Sequence, residues 1–210
     1  MKNLLIAGAG AHCKVVLDII SSTKEWEPVG ILDAGRQECV LGIPVIGDDT
    51  KAAELFDKGI RYAFVAIGNN SIRKKVSENL IEMGYTMATI ISPSAVVSPY
   101  AVIGAGTVVM PGAVINVDAS VGEGCIINTN SSIDHDCQIG PYVHIAPGCA
   151  VSGSTRIGAQ TFLGTRAGAI DGITIGSQVM IGAGAIVVND IPNCCTALGV
   201  PARVVKERDQ

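Results

Sequence analysis

Ile91-Ser92-Pro93-Ser94-Ala95-Val96-Val97-Ser98-Pro99-Tyr100-Ala101-Val102-Ile103 opens a stretch in which every sixth residue is aliphatic. The series runs on through Val109, Ile115, Val121, Ile127, Ile133, Ile139, Ile145, Val151, Ile157, Leu163, Ala169, Ile175, Ile181 and Val187, seventeen positions without an insertion. The residue two before each is small or apolar, as at Ala95, Ala101, Thr107, Ala113, Ala119, Cys125, Ser131, Cys137 and Val143. The residue just after is often glycine, as at Gly104, Gly122, Gly140, Gly158, Gly164, Gly176 and Gly182. A period of six fits neither a 3.6-residue helix nor an alternating strand, so it reports a repeating supersecondary unit. Each hexapeptide reads as one short strand and one turn, three to a triangular coil, with the aliphatic residue pointing inward and the small residue filling the space beside it. One coil cannot bury its own face, and stacking about five gives a continuous dry core. Glycine after the inward aliphatic is expected at a corner of unusual backbone conformation. The stretch is a parallel β-helix.

Outward from the repeat, the composition changes. Residues 1–90 hold ten Lys or Arg and eleven Asp or Glu, against two and six in residues 91–190. That shift places a domain boundary near residue 90, giving domains 1–90 and 91–210. No run of eighteen apolar residues and no cleavable signal pattern occur, so the expectation is a cytoplasmic protein without membrane insertion. A net charge of −4 and a pI near 5.3 argue against nucleic acid as a partner. Cys125, Cys137 and Cys149 fall on the small inward position, where Cys acts as a small hydrophobe. Cys194 and Cys195 lack a CxxC partner and receive no metal or redox role. Ile191-Pro192 is expected to end the coils, and Arg203, Lys206 and Arg208 to lie in a solvated tail.

In residues 1–90, the apolar run Leu4–Ala7 leads into Gly8-Ala9-Gly10-Ala11-His12-Cys13 and then an apolar pattern through Ile20. This is strand, glycine turn, helix. Val29–Leu32 is a second strand ending at Asp33, and Tyr62–Ile67 a third, ending at Gly68-Asn69-Asn70, after which a helix begins. Met87–Ile91 is a candidate last strand. Alternating strands and helices predict a small parallel sheet, a Rossmann-like α/β unit with ligands at the strands' carboxyl ends. The glycine turn lacks the third glycine of a dinucleotide fingerprint, which argues against NAD. Main-chain N–H groups at the helix start still suit the phosphates of one nucleotide.

Of three histidines, two lie in the repeat, His135 and His144. His135 follows the inward Ile133 within Asp134-His135-Asp136 and is expected at an outer corner. A neighbouring carboxylate orients an imidazole and raises its basicity, with Asp136 the first choice and Asp134 the second. His144 precedes the inward Ile145 and should project outward. The two are half a coil apart, on a triangle with sides of roughly 20 Å. They meet only if another copy packs alongside, which favours a closed trimer.

Gly8-Ala9-Gly10-Ala11-His12, Ala66-Ile67-Gly68-Asn69-Asn70-Ser71-Ile72-Arg73-Lys74-Lys75, the segment from Asn128 to His144 and Gly199-Val200-Pro201-Ala202 together resemble bacterial nucleotide-sugar acetyltransferases of the hexapeptide-repeat superfamily. The subgroup is that of the bacillosamine-pathway UDP-4-amino-sugar N-acetyltransferase and the sialic acid O-acetyltransferases. The resemblance implies a left-handed β-helix, a homotrimer with active sites at subunit interfaces, acetyl-CoA as cosubstrate and no metal. It implies His135 as general base with Asp136 raising its basicity, and His144 of the adjacent subunit, with main chain near Thr165 and Ala183, against acetyl-CoA. The nucleotide-sugar is implied at Ala11, His12, Cys13, Asp33, Ala34 and Gly68. Ala11 and Cys13 replace glycines common in that turn, and Asp136 stands where relatives often have Glu.

The expected reaction is acetyl transfer to the amino group of a nucleotide-linked sugar, a UDP-4-amino-4,6-dideoxy sugar by the resemblance, for surface glycan or glycoprotein synthesis. His135 accepts the proton, and no covalent enzyme intermediate is needed. Three rival readings are a sialic acid O-acetyltransferase, a metal enzyme of the β-helical carbonic anhydrase type, for which this β-helix has two histidines rather than three, and a non-catalytic nucleotide-sugar-binding or scaffold protein.

Overall fold

The computed structural model describes residues 1–35 and 38–207. They fall into two compact units, Met1–Pro93 and Ser94–Gln210. Arg208 of the tail lies outside the described residues.

The first unit is built on β1 (Lys2–Ala7), whose last four residues are buried. It leads through the glycine turn into α1 (Ala11–Ser21), which buries Cys13, Val16, Leu17, Ile19 and Ile20 along one stripe. β2 (Trp26–Leu32), the hairpin of β3 (Cys39–Val40) and β4 (Ile43–Gly47), α2 (Lys51–Asp57), β5 (Tyr62–Val65), α3 (Asn70–Glu82) and β6 (Thr86–Met87) follow. The sheet order is β3-β4-β2-β1-β5-β6. All pairings are parallel except β3 with β4. The hairpin and α2 are additions to the strands and helices read from the sequence, because their apolar runs are too short to show a period. The order sets β1 between β2 and β5, so the carboxyl ends of these three strands lie side by side. Asn69 caps α3, its side chain accepting from the Ile72 N–H at 3.1 Å.

The second unit is the coil. Two-residue strands stack in parallel into three sheets, one led by Val96, Val114, Ser132, Ala150, Gly168 and Ile186. A second is led by Val102, Ser120, Gln138, Arg156 and Thr174. The third contains Val108, Ile126, His144, Phe162 and Met180. The inward aliphatics from Val109 to Val187 are at most 4 % exposed. The small positions are buried too, and their polar members find partners: Thr107 Oγ1 donates to the Gly122 carbonyl at 2.8 Å and accepts from the Cys125 N–H at 3.0 Å. The thiols of Cys125, Cys137 and Cys149 donate to corner carbonyls in the same way, at 3.0–3.2 Å. Burial pushes the Cys149 thiol up to about 11, so it packs as a small, inert group.

Four expectations need correction. Ile91 is 39 % exposed and its neighbour Ile90 is buried, so the inward series starts at Val97, with coil only on one side of it. The glycines after the inward aliphatics are not the corners of unusual conformation. Positive φ recurs two residues later, at every sixth residue from Gly106 to Gly184. The earlier glycines answer a close approach: a Cβ on Gly122 would lie 2.7 Å from the Pro141 nitrogen, and one on Gly140 2.8 Å from the Ala159 nitrogen, both backbone atoms of the next coil. Finally, the chain past Pro192 continues the third sheet. Cys195–Leu198 pairs parallel with Met180–Ile181 and antiparallel with Arg203–Glu207, so Arg203 and Lys206 lie on an exposed edge strand rather than a free tail.

Candidate active site

Chemistry in the β-helix concentrates at one corner. After the strand Ser132–Ile133 the chain turns through Asp134, His135 and Asp136, with Asp136 at φ 58°. Asp enters this left-handed region more readily than most residues, since its short side chain bonds locally. From there its Oδ2 meets His135 Nδ1 at 2.8 Å. An ionised carboxylate only accepts, so Nδ1 carries the proton and Nε2 presents a lone pair. Asp134 Oδ1 accepts from the His135 N–H at 2.8 Å and from Asn116 Nδ2 at 2.9 Å. These bonds hold the Asp134 carboxyl below the usual carboxylate range. The Asp136 hydrogen bond, and next the Asp134 charge, raise the imidazole above its ordinary pKa. The side chain is 52 % exposed, so Nε2 is within reach of a substrate. One nitrogen committed to a carboxylate and the other open is the arrangement a general base needs.

One coil on, Gly153 is buried beneath the imidazole. A Cβ there would lie 2.5 Å from His135 Cε1, 2.7 Å from Nε2 and 2.8 Å from Asp171 Oδ1. The absent side chain thus lets a third carboxylate, two coils from His135, approach the working edge of the ring.

His144 lies in the third sheet, between Ile126 and Phe162, and so apart from the His135 corner. Its ring meets that of Phe162 edge-on, centroids 5.0 Å apart. Asn128 Oδ1 accepts from the Thr129 N–H at 2.8 Å, which turns the Asn128 amide nitrogen towards His144 Nε2 at 3.1 Å. Nε2 is then the acceptor, and the ring proton sits on Nδ1. Thr165 and Ala183 occupy equivalent places on successive coils, at the corner that follows the third sheet, and both are exposed. The structure therefore groups His144, Thr165 and Ala183 along one edge, and His135 with Asp136 at another corner.

In the first unit the glycine turn, Asp33–Ala34 and Gly68 come together at the carboxyl ends of β1, β2 and β5. Gly8 needs its glycine twice: φ is +98°, and a Cβ would meet Ile67 Cγ1 at 2.6 Å. α1 starts at Gly10 without a side-chain cap, and the N–H groups of a first helical turn have no carbonyl within the helix to meet. The Cys13 N–H donates to the Gly10 carbonyl at 3.0 Å and its thiol is buried, which leaves Ala11 and His12 to present theirs. His12 Nε2 is buried with no hydrogen-bond partner among the described residues. Burial, then the Arg73 charge, lower its pKa to about 4, so the ring is neutral. Asp33 is one of the implied nucleotide-sugar contacts. Its oxygens accept from the Ala9 and Gly35 N–H groups, each at 2.7 Å, so it shapes the turn while each oxygen keeps a second lone pair.

Residues 3–80 match the PglD N-terminal domain family, and residues 118–153 the bacterial transferase hexapeptide (six repeats) family. A variant of perosamine N-acetyltransferase from Caulobacter crescentus, solved in complex with CoA and GDP-perosamine, is 38 % identical, with a TM-score of 0.93 over 99 % of this chain and 98 % of that one. The acetyltransferase domain of PglB from Neisseria gonorrhoeae is 39 % identical, with a TM-score of 0.94 over 98 % of this chain and 100 % of that one. The chain belongs to this family of bacterial hexapeptide-repeat nucleotide-sugar acetyltransferases. The UDP-N-acetylbacillosamine N-acetyltransferase of Bacillus subtilis is 39 % identical over 113 residues, 51 % of this chain and 50 % of that protein. The match thus spans about half the length of that relative.

The β-helix of this acetyltransferase is left-handed, as the resemblance implied. Two residues of the acetyltransferase escaped the sequence reading. Asp171 is an unremarkable turn residue until the coils are stacked. Arg73, 1 % exposed, is in sequence one of three adjacent cations, with Lys74 and Lys75, on α3. Its guanidinium donates to the Ile67 and Gly68 carbonyls at 3.0 and 3.1 Å and to Asn70 Oδ1 at 2.8 Å, which holds the Gly68 loop against the start of α3. Its place in Gly68-Asn69-Asn70-Ser71-Ile72-Arg73, one turn after the Asn69 cap, was the available signal.

Proposed function

We propose that the protein transfers an acetyl group from acetyl-CoA to the amino group of a nucleotide-linked 4-amino-4,6-dideoxy sugar. The observation that carries this is the 2.8 Å bond between His135 Nδ1 and Asp136, which leaves Nε2 as an accessible base. Acetyl-CoA supplies a thioester carbonyl whose carbon accepts the amine nitrogen. His135 Nε2 takes the proton lost by that nitrogen as the C–N bond forms, and passes it to the departing sulfur as the C–S bond breaks. Asp136 holds the tautomer and the charged imidazolium. His144, with its proton on Nδ1, and the exposed main chain at Thr165 and Ala183 are assigned to acetyl-CoA. The first unit is assigned to the nucleotide-sugar: N–H groups of Ala11 and His12 to phosphate, the bare Nε2 of His12 to a donor on the ligand, and Cys13, Asp33, Ala34 and Gly68 to the walls of the site.

The complex of the Caulobacter relative with CoA and GDP-perosamine supports both substrates. The homotrimer is part of the same proposal, supported by the lead residues of the first sheet, Val96, Val114, Ser132, Ala150, Gly168 and Ile186, none of which carries a charge. So are the cytoplasmic location and the route to surface glycan.

The test is a panel of nucleotide amino-sugars, UDP- and GDP-linked, with sialic acid as the hydroxyl acceptor, followed by release of free CoA. Turnover is expected with an amino-sugar and not with sialic acid; sialic acid turnover alone would establish the O-acetyltransferase. In the same assay His135→Ala is expected to lose roughly 10²–10⁴ in kcat with acetyl-CoA binding kept. Asp136→Asn should lose less and move the acid limb of the pH profile to lower pH, because the bond that raises the imidazole pKa is weakened. Near wild-type turnover of His135→Ala would assign the base elsewhere.

A further inference from the structure

His135, Gly153 and Asp171 form one column through three stacked coils, each two residues past an inward aliphatic, with the strands before them paired in register. Where a Cβ on Gly153 would be, His135 Nε2 lies 2.7 Å away on one side and Asp171 Oδ1 2.8 Å away on the other. Nδ1 belongs to Asp136, so the nitrogen that faces this spot is the one that accepts the substrate's proton. Asp171 is exposed, and among the described residues its carboxylate has no hydrogen-bond or ion-pair partner. The coils are otherwise poor in charge: of six acidic residues between 91 and 190, three stand around this imidazole. Asp134 and Asp136 have structural bonds that account for them. Asp171 has none.

A spare anion beside the working nitrogen suits one class of acceptor. A sugar hydroxyl becomes negative as it loses its proton, and a carboxylate alongside opposes that charge. A sugar amine arrives as an ammonium ion, which a carboxylate attracts, and it never becomes negative on the way to an amide. We infer that Asp171 binds the protonated amino group of the acceptor sugar and so selects an amine over a hydroxyl, a role that rests on the acetyl-transfer reading above. Of the three ammonium protons, one leaves to solvent when the amine is made neutral, one travels through Nε2 to the sulfur, and one stays on the amide. Asp171 holds the nitrogen beside Nε2 until the first of these is gone.

The test is calorimetry on the full-length protein without acetyl-CoA, near neutral pH. The probes are the best-binding nucleotide amino-sugar of the panel and its 4-hydroxy counterpart. Wild type is expected to prefer the amine, and the preference to fade as pH rises and the amine loses its proton. Asp171→Asn should weaken the amine alone, by about fivefold, and leave the 4-hydroxy compound unchanged. Asp171→Glu keeps the charge and should restore part of the preference. An Asp171→Asn protein that retains the full preference, or loses both ligands equally, overturns the inference while leaving the acetyltransferase reading intact. Failure of wild type to bind any nucleotide amino-sugar removes both.

Discussion

His12 shows how far a single residue departs from its free behaviour when the fold closes over it. Its imidazole is held neutral, with a pKa near 4 against 6.5 for the free group. Between those values the unfolded chain binds a proton that the folded chain refuses. The stability due to this group is therefore complete above about pH 6.5 and is lost as pH falls towards 4. The loss amounts to about 3 kcal/mol at most. The single tryptophan, Trp26 in β2, reports on the first unit, so urea midpoints followed by its fluorescence should fall across that window. His12→Asn should flatten the slope. Asp48 and Glu54, held low by Thr50 and by Lys58 and Lys51 respectively, lose their contributions only at lower pH. An unchanged slope in His12→Asn would mean that the ring is not kept neutral by burial. His135 acts in the opposite sense. Its raised pKa favours the charged form, so its contribution is present at low pH and is lost as pH rises.

The element that repeats is a corner, and two different glycine requirements alternate in it. The position right after the inward aliphatic has ordinary backbone angles but lies against the next coil's main chain. The position two further on has positive φ but is often open to solvent. Gly122→Ala would set a methyl 2.7 Å from the Pro141 nitrogen and 2.8 Å from the Gly140 carbonyl carbon. Backbone cannot give way as a side chain can, and the expected cost is about 3 kcal/mol. Gly184 has φ +68° and nothing within 4 Å of where a Cβ would stand, so Gly184→Ala should cost about 1 kcal/mol, the strain of the left-handed region alone. Paired urea denaturation of the two variants checks the order. Equal losses would show that crowding does not set the first requirement. The same distinction explains why Asp118, Asn130, Asp136, Ser154 and Gln160 stand at positive φ: a polar side chain at such a corner tolerates the strain, whereas none fits where the next coil's main chain comes as close as it does at Gly122 and Gly140.

At the scale of the whole molecule, His135 and His144 stand on separate parts of one prism, His144 in the third sheet and His135 at the corner between the other two. In the proposed trimer the site would draw His135 from one copy and His144 from the next. His135→Ala and a cofactor-blocking change such as His144→Trp, each impaired alone, should complement when unfolded and refolded together in equal amounts. Random assembly makes about three quarters of trimers mixed, and closed symmetry gives each mixed trimer one interface with both histidines intact, so roughly a quarter of wild-type activity should return. Activity no higher than the mean of the separately refolded variants, with mixed trimers confirmed by mass spectrometry, would confine the site to one chain.

The repeat from Val97 to Val187, and with it the β-helix, is written in the sequence because the inward position recurs at a fixed interval and tolerates only aliphatic side chains. The proposed base is legible for the same reason: His135 and its flanking carboxylates break a habit that is otherwise apolar and uncharged. The glycine turn before α1 shows through because close passage of the chain at Gly8 admits no side chain. Tertiary structure alone decided the rest. Asp171 is thirty-six residues from His135, and only the stacking register over a bare Gly153 makes them neighbours. Arg73 becomes an anchor only when the end of β5 folds back over α3, and the glycines after the inward aliphatics show their purpose only against the coil above. Periodicity records which residues face inward. It does not record which outward residues two stacked coils bring into contact, because that depends on the length and twist of every turn between them.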